Sequence, residues 1–401
     1  MIKNKTRIIQ KLKYCVIFSF IFVFIFLTAC RQEKVEEEFK PRNAHSAYKN
    51  SLEQANLHET ALGKDWITAA EKALVDPINI ICPFEEVFYV DPSSAFAIGY
   101  AFKTIRGQRI EIDIQIESED STILFIDLFR INKDSGQKTK VASSKKDSSF
   151  LKFEPRRDNK YILRLQPELL RGGKFRLTIK NVHALSFPVA GKDDTAIWSW
   201  FDDPRDGGRI KHNGVDIFAS RHTEILACTD GYIREVADTK IGGKNIWLYD
   251  ATRMLNIYYA HLQTQEVTKN TKVKAGQVIG TMGNTGNAIN TPPHLHFGLY
   301  HRIDGPIDPL NFLTRTDEEP DKVVSDINLL GQLVRPKNST LAFKSSDGKF
   351  IQQQKTLHEN SVMKVTGASG KLFRVELSDG SFTYVSYNDI IEIDKVLIGG
   401  N

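Results

Sequence analysis

The chain has 401 residues, 41% of them apolar and 26% charged, with 26 Gly and 14 Pro, which excludes collagen-like, disordered and multi-span membrane classes and leaves material for two or three folded units. The net charge is +5, but Lys3, Lys5, Arg7, Lys11 and Lys13 precede Cys30 while no Asp or Glu does, so the remainder carries 49 residues of each sign. That balance gives no electrostatic footprint for nucleic acid, and no nucleic-acid partner is expected.

The basic stretch runs into about a dozen apolar residues, 16–27, too short for a comfortable membrane span and suited to the core of a signal peptide. It ends in Leu27-Thr28-Ala29-Cys30, which resembles the lipobox of bacterial lipoproteins. The resemblance implies a signal peptide over 1–29, lipidation of Cys30, and an extracytoplasmic protein anchored to a bacterial membrane, facing the periplasm or the cell surface. An uncleaved N-terminal anchor is the alternative, with the same compartment. The acidic run Glu33 and Glu36 to Glu38 reads as a tether and is somewhat similar to export tags of surface lipoproteins. Cys82 and Cys228 are the remaining cysteines, expected as free buried thiols, with a bridge as the other reading.

Residues 43–75, rich in Ala, Leu, Glu and Lys, predict one or two short helices that stop at Asp76-Pro77, so 30–77 is tether plus helices. From 78 to 185 the period changes to two. IEIDIQI at 110–116, TILFIDLF at 122–129, KYILRL at 160–165 and KFRLTIK at 174–180 predict an antiparallel β-sandwich, similar to domains that accompany secreted bacterial peptidases.

Residues 186–315 hold six of the ten histidines. In KHNGVDIF (211–218), equal parity puts His212 and Asp216 on one face of an extended segment and Val215 and Ile217 on the other. An imidazole and a carboxylate together suit Zn²⁺, although such a pair is also common on bare surfaces. In PPHLHFGL (292–299), His294 and His296 share a face opposite Leu295, Phe297 and Leu299. Two adjacent imidazoles on an amphipathic strand have few structural reasons to exist, because each buried one needs a partner and both repel when protonated. His261 ends a strand-like IYYAHL, where a lone histidine satisfied by a carbonyl is the competing reading; Tyr258 and Tyr259 there read as core or rim. Gly242-Gly243 and Gly283 to Gly286 lack the Lys-Ser/Thr and helix of a phosphate loop and read as turns.

The order H-x-x-x-D, Y-A-H-L, G-N-T-G and H-L-H-F, with DPRDGGR at 203–209, TDGYI at 229–233, VKAGQVIG at 273–280 and Asp308-Pro309, resembles the lysostaphin and LytM-type zinc metallopeptidases that cut peptidoglycan peptides. The resemblance runs from about Trp200 to Leu313. It implies an all-β, mostly antiparallel peptidase domain and one Zn²⁺ per chain on His212, Asp216 and His296, with His261 and His294 as catalytic residues near the reacting carbonyl. Peptidoglycan would be the partner. Two features depart from the family's usual pattern: Arg221-His222-Thr223-Glu224 replaces a Gly-Thr-Pro turn, and the 286–293 loop, which borders the cleft, is longer. His222 and His301 are expected on the surface. Two further readings stand beside a wall endopeptidase: a non-enzymatic regulator of cell-wall amidases, as in relatives that have lost ligands, and a peptidase for Gly-rich proteins.

Thr316 to Pro320 opens a linker expected over 316–330. Residues 331–395, with turns at Asp347-Gly348, Ser369-Gly370 and Asp379-Gly380, resemble a bacterial SH3-like barrel whose Phe382, Tyr384 and Tyr387 serve wall contact or packing. The expected architecture is mainly β, with a β-sandwich before the peptidase domain and a small barrel after it.

Overall fold

The computed structural model describes residues 43–117, 122–145, 148–314, 319–343 and 355–393. The expected signal segment, Cys30, the acidic run and the Asp347-Gly348 turn lie outside the described residues. Among the described residues no helix is long and apolar enough to cross a membrane.

Two helices open the described chain. Ala44–Gln54 starts where the Asn43 side chain accepts from Ser46 N at 2.9 Å, and Ala61–Val75 starts where Thr60 accepts from Gly63 N at 3.1 Å. The second ends before Pro77, whose ring disfavours helical geometry at Asp76. Their apolar faces bring Leu52 and Trp66 onto Phe125, and the Trp66 indole donates to Pro167 O at 2.9 Å, which docks the helices on the sheet behind them.

That sheet has five strands in the order Ile78–Asn79, Ile98–Thr104, Asn159–Pro167, Leu124–Ile131, Lys138–Ser143. All its pairs are antiparallel except the short first one. A second sheet of Phe84–Val90, Gly173–His183, Gln108–Ile116 and Phe150–Phe153 packs against it. The period of two acts here as expected: Ile110, Ile112 and Ile114 enter the shared core with Phe175, Leu177 and Ile179, while Glu111 and Asp113 turn outward.

The sandwich does not stop at its own strands. Met363–Ser369 pairs antiparallel with Phe84–Val90, matching Val87 to Ala368 and Phe88 to Gly367, so the second sheet runs on through Leu372–Glu376 and Phe382–Ser386. Gly367 is required at this seam, because a Cβ there would sit 2.8 Å from Glu86 Oε1 and 2.9 Å from the Arg374 guanidinium. Behind it Glu86 accepts from the hydroxyls of Tyr100 and Tyr384 and faces Arg374 Nε at 3.5 Å, with all four side chains fully or almost fully buried. Tyr384 is thereby committed to the interior, leaving Phe382, at 42% exposure, as the exposed aromatic of the three expected at the wall. The C-terminal strands also keep a core of Val334, Met363, Val365, Phe373, Val375 and Val385, and Val323, Ile327, Leu329 and Leu330 of the expected linker pack on it.

Residues 197–307 form an antiparallel sheet ordered Ile197–Ser199, Val215–Phe218, His294–His301, Leu255–Leu262, Gly243–Asp250, Gly231–Thr239, Lys272–Val273, with Gly305–Ile307 on the outer end of His294–His301. A three-stranded sheet of Glu224–Leu226, Val278–Thr281 and Thr264–Gln265 is part of the same core, centred on Val215, Ile217, Ile257, Tyr259, Leu295 and Phe297. Arg253 mounts this unit on the sandwich: its guanidinium meets both Glu154 oxygens at 2.6 and 2.8 Å, Asp250 at 2.5 Å and Ala184 O at 2.9 Å. The two cysteines are free, Cys228 buried and Cys82 half-buried, and burial pushes both thiols up to about 12.

Candidate metal centre

Strand register assembles the site. Val215–Phe218 lies antiparallel to His294–His301 with Asp216 opposite His296 and Phe218 opposite His294, and Leu255–Leu262 flanks the other side with Ala260 opposite His296. Residues opposite one another share a face, so core packing of Val215, Ile217, Leu295 and Phe297 obliges Asp216, His294 and His296 to project together from the other side. His212 arrives differently from the single extended segment expected. The strand begins only at Val215, and His212 belongs to a hairpin in which its N–H donates to Asp203 O at 2.9 Å and its carbonyl accepts from Asp202 N at 2.9 Å. Gly214 makes that break feasible, since a Cβ there would meet Phe297 O at 2.5 Å and the His296 ring at 2.9–3.0 Å.

The result is a triangle of donor atoms. His212 Nε2 lies 2.9 Å from His296 Nδ1 and 3.1 Å from Asp216 Oδ1, and His296 Nδ1 lies 3.0 Å from the same oxygen. His212 Nδ1 is 2.8 Å from Trp200 O, and the tautomer that donates to this carbonyl leaves Nε2 as a lone pair turned to the other two. Lone pairs and a carboxylate facing one another at such distances repel unless a proton or a cation lies among them. Two imidazole nitrogens and one carboxylate oxygen, all within reach of one point, are a donor set suited to Zn²⁺. Burial alone would raise the Asp216 carboxyl, but when no cation is bound and His212 and His296 turn protons toward it instead of lone pairs, their hydrogen bonds and charges hold it well below the usual carboxylate range. Burial also lowers the His296 imidazole, against the pull of Asp216.

The other two expected residues stand beside this triangle. His261 and His294 have ring centroids 5.0 Å apart, and His261 is 6.1 Å from His296. Each directs Nδ1 to a backbone carbonyl, His261 to Thr285 O at 2.8 Å and His294 to Pro292 O at 2.9 Å, so Nε2 is the free ring nitrogen in both. Both carbonyls belong to the segment 284–293, which Asn284 ties together by donating to Ile289 O and Thr291 O. The longer 286–293 loop and the Thr285 just before it therefore do more than border the cleft: together they aim both imidazoles. His261 adopts a left-handed backbone, φ +63°, which costs a non-glycine residue energy and is secured by its N–H donating to Gly242 O at 2.8 Å. Burial, then the neighbouring His294, lowers its pKa to about 4.

Several participants gave no separable signal in the sequence. Arg205 Nη2 donates to Asp216 Oδ2 at 2.6 Å and to Ser199 Oγ at 2.5 Å, supporting the carboxylate from outside the triangle. Phe218 stacks on His294 with centroids 5.1 Å apart, and Trp198 stacks on Phe218 at 5.3 Å. Tyr258 stands edge-on to His296 at 6.0 Å on the rim, whereas Tyr259 is wholly buried with its hydroxyl accepting from Cys228 N. His222 is exposed as expected. His301 is not simply on the surface, because Nδ1 lies 3.1 Å from Asp304 Oδ2 and its side chain is 11% exposed.

Residues 210–309 match the model of Peptidase family M23. Over 87 residues it is 42% identical to the glycyl-glycine endopeptidase ALE-1 of Staphylococcus capitis, covering 21% of this chain and 24% of that protein. Over 135 residues it is 32% identical to the L-Ala--D-Glu endopeptidase of Bacillus subtilis (strain 168), covering 31% of this chain and 41% of that one. Among solved structures, the catalytic domain of lysostaphin from Staphylococcus simulans is 33% identical, covers 29% of this chain and 88% of that chain, and has a TM-score of 0.26. The chain thus spans about a quarter and about two fifths of the length of these two curated relatives.

Proposed function

We propose that the chain is a zinc-dependent endopeptidase that hydrolyses peptide bonds in peptidoglycan stem peptides or cross-links, tethered outside the cytoplasm by a lipidated Cys30. The observation that carries the reading is the triangle of His212 Nε2, Asp216 Oδ1 and His296 Nδ1, with edges of 2.9–3.1 Å, inside the M23 match. These three residues would hold one Zn²⁺. When bound, zinc supplies Lewis acidity toward the scissile carbonyl and lowers the pKa of water toward about 7.

The chain's own residues do the rest. Trp200 O fixes the His212 tautomer, and Arg205 holds the second Asp216 oxygen so that the first stays turned to the histidines. His261 and His294, each anchored through Nδ1, present Nε2 to take up or donate a proton or to stabilise a developing oxyanion. The Pro-rich loop that anchors them shapes the cleft wall and with it the preference for substrate. The complete triad favours an enzyme over a ligand-depleted regulator of amidases.

The test is to assay zinc in the purified soluble part and the products from cross-linked muropeptides, with His296→Ala and His294→Ala beside wild type. About one zinc per chain and cleavage lost in both variants is expected. Metal-free protein that cleaves at the same rate overturns the mechanism. Wild type that leaves muropeptides intact while cutting Gly-rich peptides moves the substrate away from the D-alanyl cross-link.

A further inference from the structure

The edge strand Ile197–Ser199 carries a feature that peptide hydrolysis does not use. Trp198 is 67% exposed and Trp200 is 49% exposed, on the rim of the candidate centre. Single exposed aromatics are ordinary, but Trp198 is neither isolated nor loose. Its indole N–H donates to Thr195 O at 3.1 Å, and its ring lies on Phe218 at 5.3 Å with 19° between planes. Phe218 lies in turn on His294 at 5.1 Å and 29°. The three rings form a stack that begins in solvent and ends at a histidine of the site.

We propose that Trp198, backed by Phe218, is a carbohydrate subsite: a platform for a pyranose ring of the glycan strand to which the peptide substrate is attached. The inference rests on the wall-peptidase reading and deepens it. A flat, fixed indole with one face covered and the other in solvent suits the C–H face of a sugar ring, which is apolar in the middle and polar at its edge. Polar groups stand in the adjoining hairpin, where Asp202 pairs with Lys211 at 3.0 Å and Asp203 accepts from Trp200 N at 2.7 Å, a mix of acceptors and donors of the kind hydroxyl and acetamido groups use. The platform is continuous with the site through His294, and Ile197–Ser199 is the edge strand of its sheet, which among the described residues carries no further strand beyond it. A saccharide is the next rigid group outward from a wall peptide held at the centre.

Two measurements test this on the zinc-loaded protein. The first compares cleavage of a cross-linked muropeptide that retains its disaccharides with the same cross-linked peptide stripped of sugar, for wild type, Trp198→Ala and Trp198→Phe. Trp198→Ala is expected to raise KM for the sugar-bearing substrate about fivefold to tenfold more than for the sugar-free one, with Trp198→Phe in between. Equal losses on both substrates assign the platform to the peptide and overturn the proposal, as does no loss on the sugar-bearing one. The second titrates N-acetylglucosamine tetramer against wild type and Trp198→Ala by indole fluorescence and calorimetry. Binding by wild type that weakens at least fivefold in the variant is expected, and absence of binding by wild type overturns the subsite. Because this arm needs no turnover, saccharide binding by a protein that cleaves nothing would sink the peptidase reading alone.

Discussion

Glu86 and Asp216 are both buried carboxylates held by side chains from distant parts of the chain, yet their company differs in kind. Around Glu86 stand donors: two tyrosine hydroxyls and the Arg374 guanidinium, so the cluster neutralises itself. Around Asp216 Oδ1 stand two imidazole nitrogens that are themselves acceptors in the tautomers ligation needs, so the cluster points its lone pairs at a place where a positive charge has to come from outside. The first arrangement joins two parts of the scaffold; the second is primed for a ligand. Burial of a charge alone would not have told them apart, and the donor count of the neighbours does.

The largest effect expected from breaking this contrast is at the triad. Asp216→Asn should lose stoichiometric zinc and slow cleavage at least about a thousandfold, with only a modest drop in the melting temperature of the metal-free protein as Arg205 loses its partner, read by metal analysis, kinetics and calorimetry. Glu86→Gln should do the converse. It leaves Arg374 buried without a counter-charge and should cost about 3–5 kcal/mol of stability in denaturant titrations, with zinc content per folded molecule unchanged.

His45 sharpens the comparison with a group buried in its neutral form. It stacks on Trp66 and meets Gln166 at 2.6 Å, and burial followed by the charge of Arg164 lowers its pKa to about 4 from 6.5. The unfolded chain therefore binds a proton that the folded one refuses between pH 6.5 and 4. Stability should be full above that window and fall through it by up to roughly 3 kcal/mol as pH drops. His45→Gln should flatten this slope in melting curves. The smallest expected effect is at Arg205, which touches Asp216 from behind: Arg205→Met should weaken zinc binding about 10-fold to 100-fold in competition with a chelator without emptying the site at saturating metal.

The grouping of these side chains was legible because most of them lie on strands, where a period of two ties a residue's face to its neighbours' burial. His294 and His296 could be placed together from Leu295 and Phe297 alone. His212 reached the right place by another backbone route, which Gly214 allows and no periodicity encodes. The roles of Arg205, which lay unassigned within DPRDGGR, and of Trp198 could not be read, since they depend on the hairpin after Ile197–Ser199 folding back to bring both beside Val215–Phe218. The sandwich followed from alternation, but the union of Phe84–Val90 with Met363–Ser369 rests on two matched pairs and a buried polar cluster nearly three hundred positions apart, which leave no local trace. The expected barrel was read as a separate module for the same reason.

That union has a consequence for folding. One edge of Phe84–Val90 stays unpaired until Met363–Ser369, nearly three hundred positions later, docks on it, so the second sheet is completed only when the C-terminal strands have joined. Ending the chain after residue 330 would consequently leave an open seam, with Glu86 stripped of Arg374 and Tyr384.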